Sequence, residues 1–320
     1  MPAKKSTLIS FVMPVRNEEA HLENACHSVF AQELPKGYAA ELVLAIAPST
    51  DRTKEIAERL ARESAKVRIV ENPSGLTSAG LNLAIAESKG EIVVRVDAHS
   101  ELQPGYVLEA VRVLELDPSV GNVGGVMAAE GKTDFEKAVA WAYRSRYGLG
   151  GGKFHVGGEA GEVETVYLGV FRRTVLVAAG MFDESVVRGQ DWELNQRIRS
   201  LGHKIWFTPL MQAKYRPRSN LLQLASQFYR TGMWRGKLSR KDFPQIALKY
   251  LAPPALVILT LFWVPLWVYL FVVMGIVATA HDLQANSKPW LLVVLPTMHY
   301  LWGIGFILGF LFPSLAKAGD

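Results

Sequence analysis

An aspartate and a histidine two residues apart, Asp97-Ala98-His99, directly follow the apolar run Glu91-Ile92-Val93-Val94-Arg95-Val96. A carboxylate and an imidazole at the carboxyl end of a strand can reach one crevice and share a divalent ion. Open α/β sheets place their ligand sites in such crevices. Mg²⁺ or Mn²⁺ held by few protein groups takes its remaining ligands from water and substrate phosphates. The same three residues also suit a plainer role, an aspartate capping the next turn beside an exposed histidine. A second carboxylate, Asp191, opens a helical pattern, where the helix dipole favours a negative charge and capping alone would explain it.

The elements that must position these groups alternate in the first hundred residues. Strand patterns cover 8–15, 41–47, 67–70 and 91–96, and helical patterns cover 18–32, 53–65 and 78–88. Alternation of this kind predicts βαβ units and a mainly parallel sheet. Asp97 then lies beside the ends of the first two strands, in one crevice with Arg16 and Asp51. Further on, helices are expected over 105–116, 135–147 and 191–201, and strands over 123–129 and 165–171. The glycine-rich stretch 148–161 reads equally as an ordinary loop or as a mobile segment over the site.

Composition divides the 320 residues. Residues 251–280 contain no charged side chain, and 289–312 hold His299 as their one group titrating near neutrality. Both exceed the roughly 20 apolar residues a spanning helix needs, so a two-helix transmembrane hairpin is expected. Pro253, Pro254 and Pro265 suggest a displaced start and a kink in the first run. Residues 214–249 carry nine lysines and arginines against one aspartate, in a chain whose net charge is only +5. Positive charge marks the cytoplasmic side, so the hairpin loop, residues 281–288, is expected outside, with the soluble part and the C-terminus near Lys317 inside. Residues 1–7 lack an apolar core of signal-peptide length. The single cysteine, Cys26, excludes an intramolecular disulfide and falls in a helical pattern. Three regions are expected: a catalytic domain over 1–220, a basic interfacial segment over 221–250, and the membrane hairpin with a short tail over 251–320.

Six motifs in register carry a resemblance: Pro14-Val15-Arg16-Asn17-Glu18, Pro48-Ser49-Thr50-Asp51, the stretch from Asn72 through Ser78 to Asn82, Asp97-Ala98-His99, Gln190-Asp191-Trp192, and the run from Gln227 to Arg235. Together they resemble family 2 glycosyltransferases of the GT-A fold, in particular the membrane-bound succinoglycan-type glucosyltransferases with Asp-Ala-His in place of Asp-x-Asp. The resemblance implies that Pro14, Arg16, Glu18 and Asp51 line a nucleotide pocket. It places Asn72, Ser78 and Asn82 near the nucleotide and donor sugar, and Asp97 and His99 at the metal and diphosphate. Tyr167, Leu168 and Gly169 would border the acceptor, and Asp191 would be the catalytic base. Gln227, Trp234 and Arg235 would close over the diphosphate.

The chemistry suits these residue types. One carboxylate can take the acceptor hydroxyl's proton, and Mn²⁺ or Mg²⁺ can neutralise the departing diphosphate. A glycosidase would normally need two carboxylates flanking the bond. The family usually has Asp-Asp-Gly-Ser where this chain has Ala45-Ile46-Ala47-Pro48-Ser49, which leaves the donor base open, UDP being the first expectation. Gln190 replaces a usual acid, and Gln227 and Arg230 are followed by Thr231, so a processive synthase motif is not intact.

The leading expectation is an inverting, metal-dependent transferase at the inner membrane. It would move sugar from a nucleotide-sugar donor to a lipid-linked polyprenyl acceptor, with no nucleic-acid partner, in exopolysaccharide or envelope glycan synthesis. The alternatives are a polyprenyl-phosphate sugar synthase and a non-catalytic, membrane-tethered sugar-nucleotide binder.

Overall fold

The computed structural model describes residues 7–149, 152–241 and 250–316. Lys249, Lys317, Gly150 and Gly151, which enter the readings above, lie outside the described residues, as do residues 1–6. In chain order the elements are β1 (Thr7–Val15), α1 (Leu22–Phe30), β2 (Tyr38–Ile46), α2 (Thr53–Glu63), β3 (Val67–Glu71), α3 (Thr77–Glu87), β4 (Ile92–Arg95) and β5 (Ser100–Leu102). They continue with α4 (Tyr106–Leu116), β6 (Val120–Ala129), α5 (Asp134–Arg144), α6 (Lys153–Val156), β7 (Gly161–Val163), β8 (Tyr167–Arg172), α7 (Arg173–Ala178), α8 (Gln190–Ser200) and β9 (Lys204–Tyr215). The last four are α9 (Leu221–Lys241), α10 (Ala252–Phe262), α11 (Leu266–Thr279) and α12 (Leu291–Leu311). They fall into two compact units, Met1–Ala128 with Gly157–Tyr215, and Ala129–Val156 with Arg216–Asp320.

The first unit is an α/β domain. Its sheet runs β3-β2-β1-β4-β8-β6-β9-β5, with β7 on β9. The strands β3, β2, β1 and β4 are parallel, as the alternation implies. The rest is not: β8 lies antiparallel between β4 and β6, and β5 and β7 pair antiparallel with β9. The expectation of a mainly parallel sheet is therefore corrected to a mixed one. A parallel pair needs a crossover, whereas β8 ends where β4 begins and is tied there by the Arg173 amide on the Glu91 carbonyl, 2.9 Å. The apolar faces of β1, β2 and β4 bury Phe11, Met13, Leu42, Leu44 and Val94 against α1 and α4, in one core with Leu22, Cys26, Tyr106 and Val107. Burial of this apolar area is the main stabilising term.

The second unit is helical. Helices α9 and α12 run side by side, and two glycine pairs spaced by four set the approach. A Cβ on Gly232 or Gly236 would stand 2.1 Å and 2.2 Å from the Trp302 and Phe306 carbonyl oxygens. One on Gly305 or Gly309 would stand 2.2 Å and 1.9 Å from those of Tyr229 and Met233. Small residues at this spacing let helix backbones touch. Among the described residues one helix, Lys288–Leu311, is long and apolar enough to cross a membrane. The expected first span is not one helix: it is α10 and α11, separated at Trp263-Val264-Pro265. Pro265 has no amide hydrogen to donate and biases Val264 away from helical angles, which ends α10. The two-helix hairpin is thus only partly realised. The loop expected outside the membrane bonds to α5, with Trp141 donating to Asp282 Oδ1 at 2.7 Å and Ser287 donating to Asp134 Oδ1 at 2.8 Å.

Candidate active site

The carboxyl ends of the parallel strands β1, β2 and β4 lie side by side, and the loops that leave them are knotted together by hydrogen bonds. Asn17, at φ 54°, donates its amide to Ser49 Oγ, and its side-chain oxygen accepts from the Thr50 amide at 2.8 Å. The left-handed conformation suits asparagine better than most residues. The Glu18 amide donates to Thr53 Oγ1 at 2.7 Å. Asp51 accepts from the Glu19 amide and from the Thr53 amide and hydroxyl. Against the cost of desolvation, these bonds hold its carboxyl below the usual range. Asp51 thus stands where expected, but its carboxylate builds the loop.

The same holds for several residues assigned to the nucleotide. Asn72, 2 % exposed, shapes the next turn by donating to the Leu76 carbonyl and accepting from Ser74 Oγ. Arg16 lies across that turn, its Nη1 3.5 Å from where a Cβ on Gly75 would be. Pro14 and Asn72 both face Gly80 of α3, where a Cβ would meet the Asn72 amide at 2.8 Å. Ser78 keeps a buried hydroxyl with no hydrogen-bond partner. Asn82 reaches the other way: its amide donates to the Phe182 carbonyl and accepts from the Phe182 amide, 2.8 Å and 3.0 Å.

The centre of the site is a residue the sequence reading passed over. Arg95, the last residue of β4 and 4 % exposed, contacts Asp97 Oδ1 at 3.0 Å on one side and Asp191 Oδ1 on the other. Its guanidinium also lies 5.7 Å from the centre of the Phe182 ring that Asn82 secures by the backbone. Burial opposes its charge, but Asp191 and Asp97 outweigh that and raise its pKa. A buried arginine must be paired, so an arginine two residues before a motif aspartate, inside an apolar strand, was the available signal.

Asp191 is the second residue of α8, whose N-cap is Gly189 at φ 81°, with no side-chain cap bond. Its carboxylate faces Arg95. Burial pushes the Asp191 carboxyl above its usual range, Arg95 opposes this, and Asp97 adds to it. Helix α8 is fixed from behind by Asn195, which accepts from Asn122 at 2.8 Å and donates to Thr165 at 2.9 Å.

His99 Nδ1 lies 2.9 Å from Glu18 Oε1, and its ring meets Tyr215 edge-on at 5.7 Å. Among the described residues no three His, Cys, Asp or Glu side chains form a metal cluster. The donor set still fits an ion that takes most ligands from substrate: Asp97 offers a carboxylate whose Arg95 contacts are both on Oδ1, and Glu18 sets the His99 ring as a carboxylate sets a ligating imidazole. Of the residues assigned to the acceptor, Tyr167 bonds Ser100 through its hydroxyl at 2.7 Å. Leu168 is buried, and its carbonyl accepts from Tyr106. Gly169 is packed so that a Cβ would stand 2.3 Å from Phe171.

Gln227, Trp234 and Arg235 lie on α9, in the second unit. Gln227 accepts from Arg218 at 3.1 Å. Trp234 is buried, with the Lys237 ammonium 4.4 Å from its ring, and Arg235 stacks over Tyr250.

Residues 10–176 match the glycosyl transferase family 2 model. Over 314 residues, 94 % of either chain, the sequence is 30 % identical to the succinoglycan biosynthesis protein ExoA of Rhizobium meliloti. It is 22 % identical over 98 % of either chain to a dolichyl N-acetyl-glucosaminyl phosphate diacetamido-dideoxy-glucuronosyltransferase of Methanococcus voltae. Among solved structures, a mannosyltransferase from Pyrobaculum calidifontis in complex with GDP-Man and Mn²⁺ superposes with TM-score 0.63 at 19 % identity, covering 98 % of this chain and 89 % of that one. That likeness establishes the GT-A fold. With the family model matching over half its length, the chain belongs to glycosyl transferase family 2 and is a glycosyltransferase.

Proposed function

We propose that the chain transfers a sugar, with inversion, from a nucleotide-sugar donor to a lipid-linked polyprenyl acceptor at the cytoplasmic face of the plasma membrane. The observation that carries this reading is the Arg95 bridge, which puts the Asp97 motif and the Asp191 carboxylate at one point. In this reading residues 1–220 carry the chemistry, and 221–250 with 251–320 serve the lipid.

Asp191 takes the proton of the attacking hydroxyl. Its raised carboxyl pKa makes it a better base than an exposed aspartate. Arg95 holds that carboxylate in place. The hydroxyl attacks the anomeric carbon from the face opposite the leaving diphosphate, which inverts the centre. Asp97 and His99 would hold a divalent ion, which when bound supplies positive charge to the leaving diphosphate. Arg16, placed over the Gly75 turn, supplies a further cation for the nucleotide phosphates, and Glu18 orients His99. Tyr167 borders the acceptor. The resemblance assigns Gln227, Trp234 and Arg235 to the diphosphate as well.

Relatives support the acceptor class. The Methanococcus voltae enzyme is named for a dolichyl phosphate-linked sugar, and a third relative, 32 % identical over 38 % of this chain, is an undecaprenyl-phosphate 4-deoxy-4-formamido-L-arabinose transferase of Pseudomonas aeruginosa. The basic residues of α9 suit such anionic headgroups.

The test is release of nucleoside diphosphate by the purified full chain, with Mn²⁺ or Mg²⁺, from a panel of nucleotide sugars, with polyprenyl-diphosphate sugar or bare polyprenyl phosphate as acceptor. Turnover with the diphosphate-linked sugar supports the reading. Turnover confined to bare polyprenyl phosphate makes the protein a polyprenyl-phosphate sugar synthase. Donor binding without release or transfer under any condition leaves a sugar-nucleotide binder.

A further inference from the structure

We propose that residues 251–280 form a re-entrant aromatic wedge that enters one leaflet of a lipid bilayer and returns, so that the apolar C-terminal region seats the protein on the membrane without crossing it. The one-sidedness rests on contacts within the second unit. Only the identity of the face, cytoplasmic, rests on the functional reading above.

Neither arm of the wedge is long enough to span. At 1.5 Å per residue, α10 and α11 rise about 16 Å and about 21 Å, against roughly 30 Å of hydrocarbon. The two arms leave and rejoin α12 at nearly the same height. Pro253 and Val257 pack on Gly303, and the Tyr269 hydroxyl lies 2.8 Å from His299 Nδ1 while its ring meets Tyr300 edge-on. Between these anchors the chain makes an excursion, and its tip is bare: Leu261, Phe262, Trp263 and Trp267 are 66–72 % exposed, as is Phe271 just past the second anchor. No charged residue occurs from 251 to 280. Exposed tryptophans on an apolar segment suit the lipid boundary, where amphipathic rings concentrate.

Helix α12, although long enough to cross, is held along its whole length by groups that cannot lie in hydrocarbon or beyond it. Just before it, Trp141 donates to Asp282, Lys137 to Gln284 Oε1 at 2.9 Å, and Ser287 to Asp134. At its middle, His299 Nε2 lies 2.6 Å from the Tyr147 carbonyl oxygen. At its end, Arg240 donates to the Phe310 and Leu311 carbonyls and Lys237 to that of Ala316. The partners of the first two anchors come from the segment 129–156, which joins two strands of one sheet, β6 and β7. No stretch between β6 and β7 holds an apolar run near the roughly 20 residues of a span, so the chain does not cross a bilayer between these strands. Start and middle of α12 therefore share one side, and its end is held by α9, which follows β9 with no apolar run of span length between or within them. The basic helix α9 beside it would add attraction to anionic lipid.

The experiment uses the full chain with its buried Cys26 replaced by alanine and single cysteines at exposed positions. Asn286→Cys reports the loop before α12, Leu261→Cys the wedge tip, and Leu210→Cys a site on the first unit. A membrane-impermeant maleimide should label Asn286→Cys and Leu210→Cys together, in inverted vesicles and not in intact spheroplasts. Labelling of Asn286→Cys alone from outside would overturn the proposal. If both label from outside, the one-sided wedge stands and the cytoplasmic reading fails. A polarity-sensitive fluorophore on Leu261→Cys should shift to the blue on adding phosphatidylglycerol vesicles and be quenched more by shallow than by deep spin-labelled lipid. Deep quenching would indicate a span, and a blue shift that needs protein concentration rather than lipid would indicate a second copy on the tip; either contradicts the wedge. Trp263→Asp should lower vesicle partitioning roughly tenfold or more, the worth of one large apolar side chain withdrawn from lipid.

Discussion

Replacing Arg95 with methionine should destabilise the protein by about 3 kcal/mol. The substitution keeps much of the side-chain volume and the packing on Phe182, and removes a charge that is 4 % exposed. Its two carboxylate partners stay behind. Breaking a fully buried ion pair costs roughly 3–5 kcal/mol because the remaining charge is uncompensated. Here the Asp97 and Asp191 side chains are 18 % and 34 % exposed, so water recovers part of that and the lower end of the range applies. For a unit of this size, about 3 kcal/mol lowers Tm by roughly 6–12 °C. Differential scanning fluorimetry of the full chain in detergent reads it. The pH dependence has a defined sign. An aspartate whose folded pKa is raised binds more protons folded than unfolded, so stability falls as pH rises from the unfolded to the folded value. Loss of Arg95 raises that carboxyl further, so the deficit should be larger at pH 8 than at pH 5. The double variant Arg95→Met/Asp191→Asn should recover part of the loss, since contacting residues couple. A single variant within about 2 °C of wild type, or one whose deficit grows on acidification, would show that Arg95 does not bind these carboxylates together.

Asp97→Ala should abolish metal-dependent turnover and His99→Ala weaken it, with partial recovery in His99→Asp because carboxylates also suit hard divalent ions; nucleoside diphosphate release with and without chelator is the measurement. Asn82→Ala leaves the Phe182 backbone amide and carbonyl without their partner and should cost about 1–3 kcal/mol in Tm terms, with a fall in kcat from the loosened ring beneath Arg95. Gly309→Leu would drive a Cβ to 1.9 Å from the Met233 carbonyl oxygen, so α9 and α12 must part; the full chain should lose its folded detergent-stable form in size-exclusion chromatography.

The parallel half of the sheet was legible because each of its strands is a short apolar run followed by a helix with one apolar face. The antiparallel half was not. Strand β9 contains Pro209, Gln212 and Lys214, which break the apolar run, and its pairing with β5 and β7 joins segments far apart in sequence. The break between α10 and α11 was signalled by Pro265, but whether a proline kinks a span or ends a helix depends on what packs around it. At the site, Asp97, His99, Glu18 and Asp191 were legible as residue types suited to the chemistry. The backbone bonds of Asp51, Asn72 and Asn82 were not, because sequence does not show whether a polar side chain turns to a neighbouring backbone, as these three do. Arg95 was hidden by its neighbours: inside Val93-Val94-Arg95-Val96 it reads as strand, and only the fold shows the two carboxylates it joins.

The proposed chemistry turns most directly on Asp191. A structural Asp191 would tolerate asparagine, whose side-chain oxygen can still accept from Arg95. A general base would not, because the amide cannot take a proton. Sugar transfer by Asp191→Asn should be measured in parallel with its Tm and with nucleotide affinity in the presence of Mn²⁺. The expected result is a folded protein that binds nucleotide as wild type does and transfers sugar about 10²–10⁴-fold more slowly, the usual contribution of a positioned base. Near-normal transfer by Asp191→Asn would contradict the account and leave Asp191 as a partner for Arg95 alone.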